Sequence, residues 1–410
     1  MVGKESTSNQ NGEVIRERRT PLQFLKKYLF EGQALNENYE DELRKLEIET
    51  LPWQQRVMIK HRRLIGMMIP ALFFHLFWLA YFIKYDHWDL FRIDSNYRIS
   101  IMAIFGSLIA GLTSEGGGSV FFPVMTLALS IAPPVARDFS LNLQSFGMGS
   151  AMFTIFWMRI RVEWRAIIFC SFGGLFGCIL SLEDLDTRLR PQVKKMGFVS
   201  LFFAFAFALF LLNRVHKRKT FKIIPEFCWW KALILIITGF VGGVFTGLSG
   251  TGIDICCFSI LTLLFRVTEK TATPTSIVLM AINSMFGMYW KNIMITPINV
   301  EAWKYVGVAL PIVVVGAPLG SVIGSHFHRQ ALAALNYITD TVALISGFAI
   351  VRPLDSEVVG TAVGIIIGGF LFYSLITWIG GRMLDTIVER QERNEVNQNE
   401  KEELKNVSIM

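Results

Sequence analysis

The chain has 410 residues, is 52% hydrophobic and 18% charged, and carries a formal net charge of +7. Its apolar runs repeatedly reach the ~20 residues needed to cross a bilayer. Burying them all against one another would leave too little polar sequence for a surface, which excludes a soluble protein. The basic residues stand at the ends of apolar runs, the pattern of membrane orientation rather than of a nucleic-acid-binding face.

Residues 1–63 mix both charges and include short apolar stretches such as PLQFLKKYLF (21–30), suited to a membrane surface. No secretory signal is read in the first 20 residues, and the region is expected to be cytosolic and partly disordered. The first span, LIGMMIPALFFHLFWLAYFI (64–83), follows KHRR (60–63), which places the N-terminus in the cytosol and residues 84–98 outside. Next comes GLTSEGGGSVFFP (111–123), where an acid, three glycines and a proline interrupt apolar sequence. Each is costly in a lipid-exposed helix.

A shift of 136 positions lays this stretch over GLSGTGIDICCFSILTLLF (247–265). Gly106, Gly111, Gly116, Phe122, Thr126, Ala136 and Ser140 then meet Gly242, Gly247, Gly252, Phe258, Thr262, Ala272 and Ser276. RVEWR (161–165) is echoed by NVEAWK (299–304), so the chain is read as duplicated. Each copy opens with a glycine-broken stretch (99–131 and 232–265) followed by three ordinary spans. If 99–131 crossed the membrane, Arg159, Arg161 and Arg165 and the basic loop RVHKRKTFK (214–222) would fall outside. If it returns to its own side, both loops fall inside, so a re-entrant hairpin is predicted.

Spans are therefore expected at 64–84, 139–158, 164–182, 196–213, 271–290, 303–325, 331–351 and 358–380. The predicted fold is an all-α membrane protein of eight transmembrane helices with two inverted repeats, each opening with a glycine-rich re-entrant hairpin. Residues 1–63 form the N-terminal region, 64–98 the first span and outer loop, and 99–213 repeat 1. A basic cytosolic loop (214–231), repeat 2 (232–351), the last span (352–380) and a charged cytosolic tail (381–410) follow. Residues 84–98 and 183–195 should face outward and both termini the cytosol, which leaves the sequon at Asn406 unglycosylated.

Broken backbone at membrane depth is tolerated where it faces protein or a water-filled cavity. Inverted repeats with broken helices are the architecture of secondary transporters, and a helix N-terminus offers free N–H groups and a positive dipole end. The expected anion site takes Ser114, Gly116, Gly117 and Gly118 from the first break and Thr251 and Gly252 from the second. Ser140 and Gln144, in a polar stripe with Gly147, Ala151 and Thr154, join it with Ser276 and Asn283. Asp254 is the first candidate for proton coupling and Glu115 the second, although an acid at a helix start also serves as a cap. The cysteines (170, 178, 228, 256 and 257) read as small membrane residues, and His326 and His328 lack metal-site spacing. Neither a metal nor any other cofactor is expected.

These motifs resemble the sulfite exporter TauE/SafE family. The resemblance rests on EGGGSVFFP (115–123), PPVARDFSLNLQS (133–145) and VEW (162–164), with GLSGTGID (247–254), EKTATPTS (269–276) and VEAW (300–303) in the second copy. It covers about residues 99–350 and implies a multi-pass transporter of sulfite, organosulfonates or related anions. Glu115 and Asp254 depart from that pattern. The alternatives are a passive anion channel and, further off, an intramembrane hydrolase, which would need Glu115 and Asp254 to meet; no enzyme is expected. The expected partners are a small anionic substrate and membrane lipid, not nucleic acid, with assembly into a homo-oligomer left open.

Overall fold

The computed structural model describes residues 52–85, 87–91, 96–113, 115–214, 219–324, 327, 329–352 and 355–409. It also describes two antiparallel dipeptide strands, β1 (Thr7–Ser8) and β2 (Val14–Ile15). Ser114, His326, His328 and the apolar stretch 21–30 lie outside the described residues, and so do the readings placed on them.

The rest is helical. α1 (Trp53–Lys60) and α2 (Arg62–Tyr85) lead to a 3-10 turn at His87–Phe91 and then to α3 (Asn96–Leu112). After the first break, α4 (Gly118–Pro123) runs into a π-helical turn, Val124–Ala128. α5 (Pro133–Trp157) begins with prolines in its first turn, where a missing N–H costs nothing. α6 (Trp164–Leu180) continues through a π-helical turn, Ser181–Leu185, into the short α7 (Asp186–Arg188), and α8 is Pro191–Arg214. The second half repeats the plan. α9 (Trp229–Ser249), a break and α10 (Ile253–Ser259) end in a π-helical turn, Ile260–Leu264. α11 (Glu269–Tyr289), α12 (Val300–Gly324), α13 (Arg329–Ile350) and α14 (Ser356–Ile409) follow. The last of these carries the final span and the charged tail as one helix.

Among the described residues, seven helices are long and apolar enough to cross a membrane: Arg62–Tyr85, Trp164–Arg188, Pro191–Arg214, Trp229–Ser249, Val300–Gly324, Gln330–Ile350 and Ser356–Arg390. Six of them coincide, to within a residue at the C-terminal end, with spans expected from the sequence or enclose them. The expected spans at 139–158 and 271–290 fall on α5 and α11, which are not among the seven. The reason is composition: α5 buries Ser140, Asn142, Gln144 and Ser145, and α11 buries Thr275, Ser276, Asn283 and Ser284. The seventh apolar helix is α9, the first arm of the second broken stretch.

The duplication extends to individual hydrogen bonds. Leu129 N–H bonds Val124 O and Phe265 N–H bonds Ile260 O, while Thr126 Oγ1 donates to Phe122 O as Thr262 Oγ1 does to Phe258 O. Ser130 and Arg266 both adopt positive φ, at 56° and 55°. Every one of these pairs is separated by the same 136 residues found in the sequence.

The two copies exchange their first arms. α3 of the first packs along α12 of the second, and α9 of the second packs along α6 of the first; these are the two most extensive helix contacts. Both interfaces are lined by glycines that bring backbones together. A side chain at Gly111 would strike the backbone of Ala317, and one at Gly239 that of Cys170. Ser107 faces Gly316 and Leu108 faces Gly320, so α3 runs parallel to α12; Gly173 meets Ile236 and Gly177 meets Phe240, so α9 runs parallel to α6.

Two groups of contacts mark the ends of the bundle. At one, Thr154 Oγ1 donates to Gly66 O, Glu163 accepts from Ile224 N–H, and Phe221 pairs with Val267. At the other, Trp290 Nε1 donates to Glu183, Asn299 N–H to Asp138, and Arg190 to Asp355. The first gathers Arg63, Arg161, Lys222 and Lys270 and is the basic end.

Candidate functional site

The two backbone breaks meet inside the bundle. Gly116, at φ +68°, and Gly252, at φ +146°, hold conformations that residues with a Cβ rarely adopt, and each turns the chain into the returning helix. A Cβ on Gly116 would lie 2.6 Å from Asp254 Oδ2, 3.3 Å from Gln144 Oε1 and 3.6 Å from Thr251 Oγ1. A Cβ on Gly118 would overlap the side chain of Thr251. The glycines of the first break thus make room for polar side chains of the second, and for Gln144 of α5. Gly117 faces its own Phe121 ring.

Asp254 stands at this junction. Its Oδ1 accepts from Gly252 N–H at 3.1 Å and its carboxyl faces the Thr251 hydroxyl at 3.4 Å, so it does cap α10. Ile253 N–H is bonded by Thr246 Oγ1 at 3.2 Å. The donors of the second break are therefore met from within the protein, one of them by a carboxylate. At the first break, Glu115 N–H donates to Thr113 Oγ1, and Ser119 Oγ donates to Gly116 O. The Glu115 carboxyl caps nothing: it is fully buried, and neither oxygen has a hydrogen-bond donor among the described residues. It faces Asp340 and Asn336 of α13, and meets Asp254 through charge alone, without a hydrogen bond.

The other expected site residues divide. Gln144 is 1% exposed with both amide atoms unpartnered, and Ser140 lies against Gly250 with its hydroxyl unpartnered. Asn283 bonds Leu279 O and faces Gly174 and Ser171 of α6, on the far side of Ile253. Ser276 Oγ donates back to Thr273 O in its own helix. Within the polar stripe, Gly147 packs on Val313 and Thr154 bonds α2, so only its first two members reach the breaks. None of the five cysteines is in a disulfide, although Cys170 Sγ contacts Cys257 Sγ at 3.8 Å.

A cavity of about 490 Å³ runs inward from the basic end. Arg63, Arg161, Lys222 and Lys270 line its outer part, and it reaches Thr113 at the first break and Asn336 on α13. The opposite end carries buried ion pairs. Arg137, 2% exposed, binds Asp138 at 2.6 Å and also Asp186, which Lys194 holds at 2.5 Å. Sequence reasoning passed over Asp340, Asn336 and this network. For Asp340 a signal existed, since an ionisable residue inside an apolar span marks a functional candidate.

The family model for sulfite exporter TauE/SafE matches residues 99–349. The chain belongs to the sulfite exporter TauE/SafE family. Its matched region takes in both breaks, the exchanged arms, the cavity end and Asp340, and leaves α2 and α14 outside. No curated protein and no solved structure matches the chain. This TauE/SafE protein is a multi-pass membrane protein of a transport family.

Proposed function

We propose that this protein is a secondary transporter that exports small anions, sulfite, an organosulfonate or a related oxyanion, by alternating access at the two touching breaks. The observation that carries the reading is the carboxylate of Asp254 lying between the starts of two returning helices; a basic-lined cavity reaches Thr113, just before the first of them. Helix starts attract anions, and here the protein's own carboxylate occupies that place. A substrate anion takes over the donors when Asp254 is neutralised by a proton and withdraws. Gly116, Gly117, Gly118, Gln144, Thr251 and Gly252 then surround it, with Ser140, Ser276 and Asn283 supporting the neighbouring helices. Ser114, next to the first break in sequence, is part of the same proposed site. Asp254 and Glu115 couple the movement to protons.

The proposed architecture has eight crossings, with α5 and α11 as polar, protein-lined spans, and two re-entrant stretches in inverted repeats. α3 runs parallel to α12, which starts next to Asn299, and α9 runs parallel to α6, which starts next to Glu163. Asn299 and Glu163 belong to opposite ends of the bundle, which supports entry of the two arms from opposite sides. The basic end faces the cytosol with both termini, by the distribution of Lys and Arg. The cavity there and the ion pairs opposite correspond to an inward-open carrier.

Uptake of radiolabelled sulfite into proteoliposomes tests the proposal. A carrier accumulates sulfite under an imposed pH gradient and exchanges it against internal sulfite; a passive channel does neither. For orientation, single cysteines are placed at Lys219 and Glu357 and intact cells are treated with an impermeant maleimide. Labelling is expected at position 357 alone, and labelling at 219 alone reverses the topology.

A further inference from the structure

Asp340 has no part in the anion site described above. It is 1% exposed at the middle of α13, a helix whose other side, with Ile338 63% and Val342 57% exposed, is turned outward as lipid-facing residues are. Asn336 stands one turn earlier on the same inner face, 3% exposed. Opposite them is Glu115: the first break's helix, α4, packs on α13, and the Glu115 carboxyl faces Asp340 and Asn336. Both Glu115 oxygens and Asp340 Oδ2 are buried without a donor among the described residues, and since ionised carboxylates only accept hydrogen bonds, a proton on one acid is what would let it donate to the other. The charged groups facing Glu115 are Asp340 from α13 and Asp254 from the second break; the one facing Asp340 is Glu115. Among the described residues, neither acid has an ion-pair partner.

Two like charges this close in a buried site cannot both ionise without a large penalty. A second, independent observation lies in Asn336: its buried Oδ1 has no donor among the described residues, and the residue lines the cavity from the basic end. It is a buried acceptor without a donor among those residues, on the inner wall of that cavity.

We infer that Glu115 and Asp340 form a shared-proton site, built from the first break and α13, which carries the proton that accompanies each anion. The inference rests on the transporter reading and supplies its coupling device. With the breaks empty, the pair holds one proton and a single negative charge. An anion between the breaks draws the pair's proton onto Asp254, and the pair takes up a second proton from water in the cavity. When the site opens to the other end, the anion and the second proton leave together. The pair returns with one proton, so one proton moves per anion. Such a pair titrates as a unit rather than as two separate residues.

Two measurements on the full-length protein test this. The first does not depend on transport: the carbonyl stretch of protonated carboxylic acids in infrared difference spectra between acid and neutral pH, in liposomes. The parent should show a band that both E115Q and D340N remove; a band unchanged in both variants overturns the inference, whatever the protein transports. The second is sulfite accumulation under a pH gradient, which for one proton per anion is about tenfold per pH unit. D340N should exchange sulfite downhill yet accumulate none. Accumulation by D340N at the parent's level overturns the shared-proton site while leaving the carrier intact. If a sodium gradient rather than a pH gradient drives accumulation, and D340N abolishes it, the pair binds a metal cation and the proton assignment fails. A parent that moves no sulfite fails the transporter reading instead, and the infrared result then decides the proton site alone.

Discussion

The two repeats share a backbone and differ in what they place on it. Where the first break has Glu115, the second has Thr251; where the second has Asp254, the first has Gly118. Gln144 in α5 corresponds to Met280 in α11, and the buried Arg137–Asp138 pair to Thr273 and Pro274. The second break reaches forward with polar side chains, and the first recedes with glycines to receive them. Two breaks of identical sequence would collide or leave a void. Divergence between the copies is what allows them to touch, and it gives each a different acid with different neighbours.

The largest test of this comparison is at the point of contact. Gly118→Ala puts a Cβ into the Thr251 side chain and should abolish transport, since overpacking of this kind costs about 1–3 kcal/mol and displaces backbone. Adding Thr251→Gly should restore a measurable part of the uptake, a coupling that two distant sites would not show. Gly368→Leu serves as the control: nothing lies within 4 Å of a Cβ there, and transport should be unchanged. Normal uptake by Gly118→Ala would mean that the breaks do not meet.

Next in size is the charged network that only the first repeat carries. Arg137→Met leaves Asp138 and Asp186 without their guanidinium, and loss of one partner from a buried pair costs about 3–5 kcal/mol. Thermal unfolding in detergent should move down sharply, while the matching Thr273→Ala in the second repeat should shift it little. Equal shifts would remove the distinction between the copies at that end.

Asp254 gives a smaller effect on stability. Asp254→Asn keeps an oxygen for the Gly252 N–H and should cost under about 1 kcal/mol, whereas Asp254→Leu leaves that donor unsatisfied at about 1–3 kcal/mol. Equal melting temperatures for the two variants would show that the cap contributes nothing.

The smallest effect lies where the first repeat meets the segment before the last span. The Arg190 guanidinium beside Asp355 holds that carboxyl below the ordinary carboxylate range. A depressed carboxyl stabilises above its unfolded pKa and loses that contribution as pH falls through the folded one. Both groups are exposed, so Asp355→Asn should leave melting at neutral pH unchanged and flatten only a slight slope on the acid side.

Much of this arrangement was legible in the residues. Glycines in register disclosed the duplication, and the apolar runs located six of the seven long apolar helices. What escaped was whatever depends on a partner far along the chain. Gly116 and Gly118 look like room for a solute, because nothing local says that Asp254 and Thr251 will fill that room. The weight placed on Asp254 over Glu115 came from its position at a helix start; the structure shows Asp254 capping that start and Glu115 facing another acid. Asp340 was hidden in an otherwise ordinary span. α5 and α11, expected from the sequence as ordinary spans, are not among the apolar helices, because they bury polar side chains within the protein.

The exchanged arms also set a timetable for biogenesis. α3 ends at Leu112 and packs along α12, which begins only at Val300. At a synthesis rate of roughly 5–20 residues per second, the ribosome needs on the order of 10–40 s to deliver that partner. Throughout the interval the nascent first half holds an uncovered glycine seam and a lone acid within the bilayer. Neither half can mature by itself, and the earlier one must be sheltered until the later one arrives.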